Sequence, residues 1–209
     1  MSFLSSTRRT LTLLVASAAA VASACNPSTV APTDNADSAL EAQMAANLAV
    51  MAQAKQHSAV VFDSLTRVWE SRGQGRGTLM NVTSGTFVAC APQPYDGDAK
   101  VVTTSGGVFT FGPHKLTVPA GALSQSTAMA VIVQTDLKTK VTLLPHGTQF
   151  NTPVKLTLSY TLCESSPTHR VAYIDALSNV LEWPTSADHP ETQKVDTWLS
   201  HFSEYAIAY

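Results

Sequence analysis

One short group of residues has the types and spacing for covalent chemistry: the triplet His201-Phe202-Ser203 near the C-terminus. Alternate residues of a strand share a face, so a strand here would place His201 beside Ser203 and opposite Phe202. A histidine that takes the serine proton creates a nucleophile one bond from the Phe202 carbonyl. The triplet is thus a candidate for self-cleavage after Phe202, although the reaction needs backbone strain that sequence does not encode. The ordinary alternative is that both side chains hydrogen-bond a neighbouring loop.

Other catalytic or ligand-binding patterns are weak. The six histidines are scattered and no pair has the close spacing of a metal site, so we expect no metal and no cofactor. The glycines of residues 73–77 lack the preceding strand and following helix of a phosphate loop. A hydrolase would need a serine, a histidine and an acid. Ser203, His169 and Asp175 are available, but their spacing does not select them, and we expect no enzyme beyond possible self-cleavage.

Composition limits the class of partner. The chain has 209 residues, 13% of them charged, and a formal net charge of −2. This length suits one domain with accessory segments. Because no dense stripe of lysine and arginine occurs, we expect no nucleic-acid partner.

The N-terminus is typical of an exported protein. Residues 1–24 combine Arg8 and Arg9, an apolar stretch and small residues before Cys25, as in a signal peptide. Two cleavage sites fit. Ala22-Ser23-Ala24 suits ordinary signal peptidase, which would give a periplasmic or secreted protein. The same residues before Cys25 also resemble a lipobox, with Ala22 where leucine is usual. We favour lipidation of Cys25 and a membrane-anchored protein of the cell envelope.

Three segments follow the signal peptide. Residues 25–37 are rich in Pro, Ser, Thr, Asn and Asp and predict a disordered tether. Residues 38–72 predict a helix, capped by Asp37 or Ser38 and weakened near residues 55–58. Residues 73–84 form a glycine-rich linker. The expected apolar face of the helix, for packing on the next domain or on a partner, comprises Leu40, Met44, Leu48, Met51, Val61, Leu65, Val68 and Trp69.

Residues 85–209 predict an antiparallel β-sandwich or barrel, because short apolar runs recur with turn residues between them. The run 154–160 alternates as a strand with one buried face should. Pro119 should end a strand, and Gly121 can turn the chain back by adopting positive φ. The predicted strands are 86–89, 100–103, 108–111, 114–118, 128–134, 141–144, 154–160, 170–174, 180–183 and 195–209.

Three motifs in this region resemble the ZU5 domain, a module of zona occludens scaffolds, ankyrins and netrin receptors. They are Gly106-Gly107, residues 118–123 (VPAGAL) and residues 145–156 (PHGTQFNTPVKL), in the family's order. The resemblance implies a β-sandwich that acts as an interaction module. It also bears on the triplet, which is similar to the self-cleavage site of some ZU5 relatives. By that analogy Ser203 would be the nucleophile, His201 the base and Phe202 the new C-terminal residue.

Cys90 and Cys163 remain to pair if Cys25 is lipidated, and a disulfide persists outside the cytoplasm. Two buried free thiols are the alternative. The predicted function is therefore non-enzymatic binding of an envelope protein or a surface polymer, with self-cleavage as the alternative. The polar segments 92–98 and 186–191 are expected to be exposed loops that contact the partner.

Overall fold

The computed structural model describes residues 34–73 and 86–209. The predicted signal peptide, Cys25, tether residues 26–33 and linker residues 74–84 lie outside these ranges. The described residues form one helix, α1 (Asp34–Gly73), and eleven strands. The strands are β1 (Asp96–Val102), β2 (Gly107–Phe111), β3 (His114–Val118), β4 (Thr127–Val133), β5 (Lys140–Leu144), β6 (Gln149–Ser159), β7 (Arg170–Ile174), β8 (Val180–Glu182), β9 (Ser186–His189), β10 (Lys194–His201) and β11 (Glu204–Ala208).

The strands form two antiparallel sheets, which confirms the predicted fold class. The six-stranded sheet has the order β1-β4-β5-β11-β7-β8, and the five-stranded sheet has the order β2-β3-β6-β10-β9. The inner residues of both sheets, among them Phe109, Leu116, Leu158 and Tyr205, make one buried core. Alternation in β2, β3 and β10 follows directly from this packing, since each strand has one inner and one outer face.

The predicted corner after β3 is present. Pro119 directly follows the strand, and Gly121 adopts a φ of 77°. Gly106, in the turn before β2, also has positive φ, and a Cβ atom there would collide with the carbonyl of Val118. Glycine is therefore required at position 106 to bring the start of β2 against the end of β3.

Helix α1 differs in its bounds from the prediction. It is a continuous helix of 40 residues, without a break at 55–58, and it starts at Asp34 instead of Ser38. The last four residues of the predicted tether are therefore helical. Asp37 suits a first turn because an acidic side chain interacts favourably with its free N–H groups.

One side of α1 packs on the outer surface of the six-stranded sheet. Met51 and Ala54 contact Ala130, Ile132 and Leu144. Two polar residues of the helix are also buried here, Asn47 and Ser58. Their side chains bind backbone groups at either end of β4: Asn47 donates to the Ala128 carbonyl (2.9 Å) and Ser58 accepts from the Thr135 N–H (3.2 Å). The predicted helical face is wrong at Leu48, which is 50% exposed, because Asn47 takes the inward position.

The segment before β1 covers the rest of the same sheet. Phe87 packs on Ala172, Ile174, Ala206 and Ala208, which point away from the central core. The predicted strand at 86–89 is wrong, since Phe87 makes only an isolated bridge to Ala208. The outer surface of the six-stranded sheet is thus covered by α1 at one end and by Phe87 at the other.

Candidate functional site

The triplet His201-Phe202-Ser203 lies where the chain crosses from one sheet to the other. His201 ends β10 in the five-stranded sheet, and Glu204 begins β11 in the six-stranded sheet. The predicted single strand over 195–209 is therefore wrong: it is two strands in different layers. Phe202 and Ser203 form the short connection between these strands. His201 and Ser203 therefore do not lie on one face of a single strand, which was the basis of the predicted reaction.

The peptide group between Phe202 and Ser203 is buried and hydrogen-bonded. The Phe202 side chain is fully buried and meets the Phe150 ring edge to face at 4.9 Å. The Phe202 carbonyl accepts from the Gly147 N–H, and the Ser203 carbonyl accepts from the Leu143 N–H, both at 2.9 Å. Neighbouring strands and turns thus hold both residues, and neither has positive φ.

The His201 ring contacts other partners than Ser203. Its Nδ1 lies 3.5 Å from the Tyr205 hydroxyl and its Nε2 lies 3.7 Å from a Glu182 carboxylate oxygen. The ring also packs edge to face against Tyr173, with centroids 4.9 Å apart. Within the described residues no hydrogen bond joins His201 to the Ser203 hydroxyl. The structure places the two residues close in the chain without the contact that proton transfer requires.

The three residues available for a hydrolase site are in separate environments. His169 stacks on Tyr160 at 3.7 Å, and its Nδ1 lies 3.4 Å from Asp188. Burial alone would raise the pKa of Asp188, but bonds from the Tyr160 hydroxyl and the His169 N–H outweigh it and lower the pKa. Asp175 instead binds the amide of Asn179 in its own turn, which lowers the pKa of Asp175. This geometry does not form the serine–histidine–acid set.

Cys90 and Cys163 form the predicted disulfide, with sulfur atoms 2.03 Å apart. Beside it lies a buried polar network around Gln93, whose amide donates to Thr139 (3.2 Å). Gln93 also contacts Nε2 of His114 at 3.2 Å, and the other ring nitrogen accepts from the Ser159 N–H at 3.1 Å. Burial lowers the pKa of His114 to about 4, despite the opposing charge of Asp96.

Neither of the two polar segments that we expected to be exposed loops is wholly an exposed loop. In the segment 92–98, Pro92 and Gln93 are buried and residues 96–98 belong to β1. In the segment 186–191, residues 186–189 form the half-buried edge strand β9. Sequence polarity was misleading here because these residues satisfy hydrogen bonds within the domain.

The outer surface of the five-stranded sheet differs from that of the six-stranded sheet because it lacks a covering layer among the described residues. We call it the open face. Its outward residues are Val108, Thr110, Lys115, Thr117, Lys155, Thr157, Ala187, His189, Lys194, Asp196, Trp198 and Ser200. No described element covers them. Trp198 and Val108 are 41% and 46% exposed. Strand register places Lys155 beside both Trp198 and Thr117, so these side chains form a row across the sheet.

The charged residues of the open face are three lysines and one aspartate. Lys155 lies 3.3 Å from Asp196, which also accepts from the Thr157 hydroxyl. Burial alone would raise the pKa of Asp196, but these contacts and His189 lower it and keep the group ionised. Within the described residues, Lys115 has no carboxylate within salt-bridge distance. The face is therefore locally positive on a chain whose formal charge is −2.

The remaining surface offers shallow clefts. One of about 250 Å³ lies between α1 and the domain, lined partly by Phe62, Tyr95 and Thr135. Another of about 210 Å³ lies beside His169 and the disulfide. Residues 34–73 and 86–209 contain no group of three His, Cys, Asp or Glu side chains suited to a metal ion. Their helix is not long and apolar enough to cross a membrane.

No protein-family model matches the chain, and no curated protein matches its sequence.

Proposed function

We propose that this is an exported, lipid-anchored envelope protein whose ZU5-like β-sandwich acts as a non-enzymatic interaction or structural module. The proposal combines the lipobox-like segment before Cys25 with the three ZU5-like motifs. The single observation that carries it is the open face. A sheet surface with exposed Trp198, free of any described covering element, is a surface on which a partner can bind.

The motifs support an interaction role through the parts they build. Gly106-Gly107 and residues 118–123 form the turns around β2 and β3, two strands of the open face. Residues 145–156 lead from β5 into β6, the middle strand of that sheet. The three motifs thus contribute to β2, β3 and β6, three of the five strands of the open face, while Trp198 lies outside them in β10. This coincidence argues for binding by the sheet instead of by the polar loops.

Lipidation is tested by expressing the full chain in a bacterium with labelled palmitate. Wild type should take up label and partition with membranes. Cys25→Ser should lose the label, because the thiol that carries the lipid is gone. An unlabelled wild-type protein that is released in soluble form would contradict the anchored address and favour cleavage by ordinary signal peptidase.

The binding role is tested by photo-crosslinking in cells. A photoreactive phenylalanine analogue replaces Thr117 in the open face or, as a control, Val60, which is 78% exposed on α1. Position 117 should form a defined adduct with an envelope component and position 60 should not. Absence of any adduct from position 117, with the protein present in the envelope, would contradict the proposed role. Deleting α1 is a poor substitute because it would expose the Ala130 and Ile132 side chains.

The second candidate function is self-cleavage at Phe202-Ser203. One observation favours it: the Gly147 N–H already binds the Phe202 carbonyl and could stabilise a developing oxyanion. The Ser203 hydroxyl would attack the Phe202 carbonyl carbon and break the peptide C–N bond, which gives an ester and a free Ser203 amine. Water would then open the ester to a Phe202 carboxylate and the serine hydroxyl. The His201 contacts with Tyr173 and Tyr205 oppose it. Intact mass of the purified protein decides: a species that ends at Phe202 supports cleavage, and one full-length mature species excludes it.

A further inference from the structure

We propose that the open face binds an anionic polysaccharide, with one sugar ring packed on the Trp198 indole and acidic substituents near Lys115 and Lys155. This inference rests on the proposed function and specifies the chemical class of its partner. It depends on three features of the face: a lone exposed aromatic ring, an excess of lysine and a dense set of hydroxyl groups.

The Trp198 indole suits a sugar ring. It is 41% exposed and lies in the interior of β10, flanked across the sheet by Lys155. The C–H face of a pyranose is apolar, so its contact with the indole removes apolar surface from water, while the hydroxyl groups at its rim stay hydrogen-bonded. The Thr117 hydroxyl lies on the same face and can serve as such a partner, and the Thr157 hydroxyl, which donates to Asp196, can still accept a hydrogen bond.

The lysines determine which ligand charge the open face favours. Lys115, Lys155 and Lys194 face outward against the single carboxylate of Asp196. From Trp198, Lys115 is two strands across and one outward position along the sheet, which is about 10 Å by about 7 Å. A short oligosaccharide can span this distance, so one chain could contact the ring and both cations. Electrostatic attraction would then favour acidic over neutral glycans.

Two other occupants fit the face less well. A protein partner would be expected to meet an apolar centre with few lysines, whereas Trp198 and Val108 are separated by two intervening strands of Lys and Thr. A second copy of this chain would bring lysines against lysines, which is unfavourable. The face therefore suits an acidic, hydroxyl-rich polymer best.

The chain contains a matched control for Trp198. Trp183 has the same exposed fraction, 41%, but lies beyond β8 at the edge of the other sheet. The Arg170 guanidinium lies 3.6 Å from the centroid of its ring and covers one side. Trp183→Ala thus removes an equally exposed indole that is not part of the open face.

The test measures binding of the purified full-length mature protein to immobilised polygalacturonate, a linear glycan with a carboxylate on each ring. Dextran supplies a neutral glycan, and polyglutamate supplies the same charge without sugar rings. We expect binding to polygalacturonate that weakens with salt. Trp198→Ala should weaken it at least tenfold, Lys115→Gln severalfold, and Trp183→Ala should leave it unchanged. Circular dichroism and thermal melting confirm that each variant is folded.

Several results would overturn the proposal. These are absence of binding to polygalacturonate, equal binding to polyglutamate, or equal loss from Trp198→Ala and Trp183→Ala. Equal binding to polyglutamate would favour an acidic protein partner, and a dimer that dissociates on Trp198→Ala would favour self-association. If the protein does not bind polygalacturonate while crosslinking from position 117 still gives an envelope adduct, the proposed function stands and only the polysaccharide assignment is lost.

Discussion

The two outer surfaces of the sandwich differ in whether another part of the described chain covers them. The surface of the six-stranded sheet is apolar, with Ile132 and Ala172 completely buried under α1 and Phe87. The open face of the five-stranded sheet alternates Thr, Lys and Trp and meets no described element. The difference teaches that helix α1 is part of the domain, and that binding should be sought on the opposite side.

The largest expected effect comes from the disulfide, which fixes the segment that covers the apolar surface. Cys90 follows Phe87 by three residues, and its bond to Cys163 closes a separation of 73 residues. The chain-entropy model assigns such a loop about 4 kcal/mol. We expect Cys90→Ser with Cys163→Ser to lower the free energy of unfolding by about that amount under oxidising conditions. Denaturant titration of both proteins measures it, and equal stabilities would contradict the prediction.

A charged residue introduced beneath α1 should lower the free energy of unfolding nearly as much as loss of the disulfide. We expect Ala54→Asp to lower the free energy of unfolding by about 3 kcal/mol, because the carboxylate would lie against Ala130 and Ile132 without a partner. Val60→Asp is the control: it introduces the same residue into the same helix at an exposed position, and should change stability by less than about 0.5 kcal/mol. If both variants lost equal stability, α1 would not be a layer of the fold.

The inward His114 should make stability depend on pH. Its pKa of about 4 lies below the ordinary value of 6.5, so the unfolded chain binds the extra proton more readily. The contribution of neutral His114 to the free energy of unfolding is fully present above pH 6.5. It falls by up to about 3 kcal/mol as the pH decreases towards 4. Protonation would also turn Nδ1, which accepts from Ser159, into a donor. Denaturant titration across this range should show a weaker pH dependence in His114→Gln, and an unchanged dependence would contradict the assignment.

The smallest effect is expected on the open face. Trp198→Ala should change the free energy of unfolding by less than about 1 kcal/mol, since the side chain is 41% exposed and the substitution removes only its partial burial on the sheet surface and its strand propensity. Thermal melting beside the Ala54→Asp variant gives the comparison directly. A loss as large as that of Ala54→Asp would show that Trp198 is a packing residue and would remove the argument for a binding surface.

Sequence patterns predicted the layers but not the site. The two-residue alternation of β3 and β6 follows from local burial, and the disulfide follows from cysteine count and compartment. The crossing at Phe202-Ser203 was missed because the apolar run from 195 to 209 contains no glycine or proline to mark a change of sheet. Strand β9 was missed because it is short and its residues are mostly polar.

The open face could not be predicted because its exposure depends on where the other segments of the chain pack. Trp198 lies in an alternating strand whose inward residues Val195, Thr197 and Leu199 are all buried. That pattern identifies Trp198 as outward, but it cannot tell whether another layer covers the outside. The reverse error occurred at α1, where Leu48 was expected inside and Asn47 is buried instead, because a bond to the Ala128 carbonyl compensates its polarity.

Oxidative footprinting in the intact envelope tests the central claim most directly. Hydroxyl radicals label exposed indoles, and Trp198 and Trp183 have the same exposure in the free domain. If the open face binds an envelope component, Trp198 should be labelled several times less in the envelope than in the purified protein, while Trp183 changes little. Equal labelling of Trp198 in both settings would contradict the assignment of the five-stranded sheet as the binding surface.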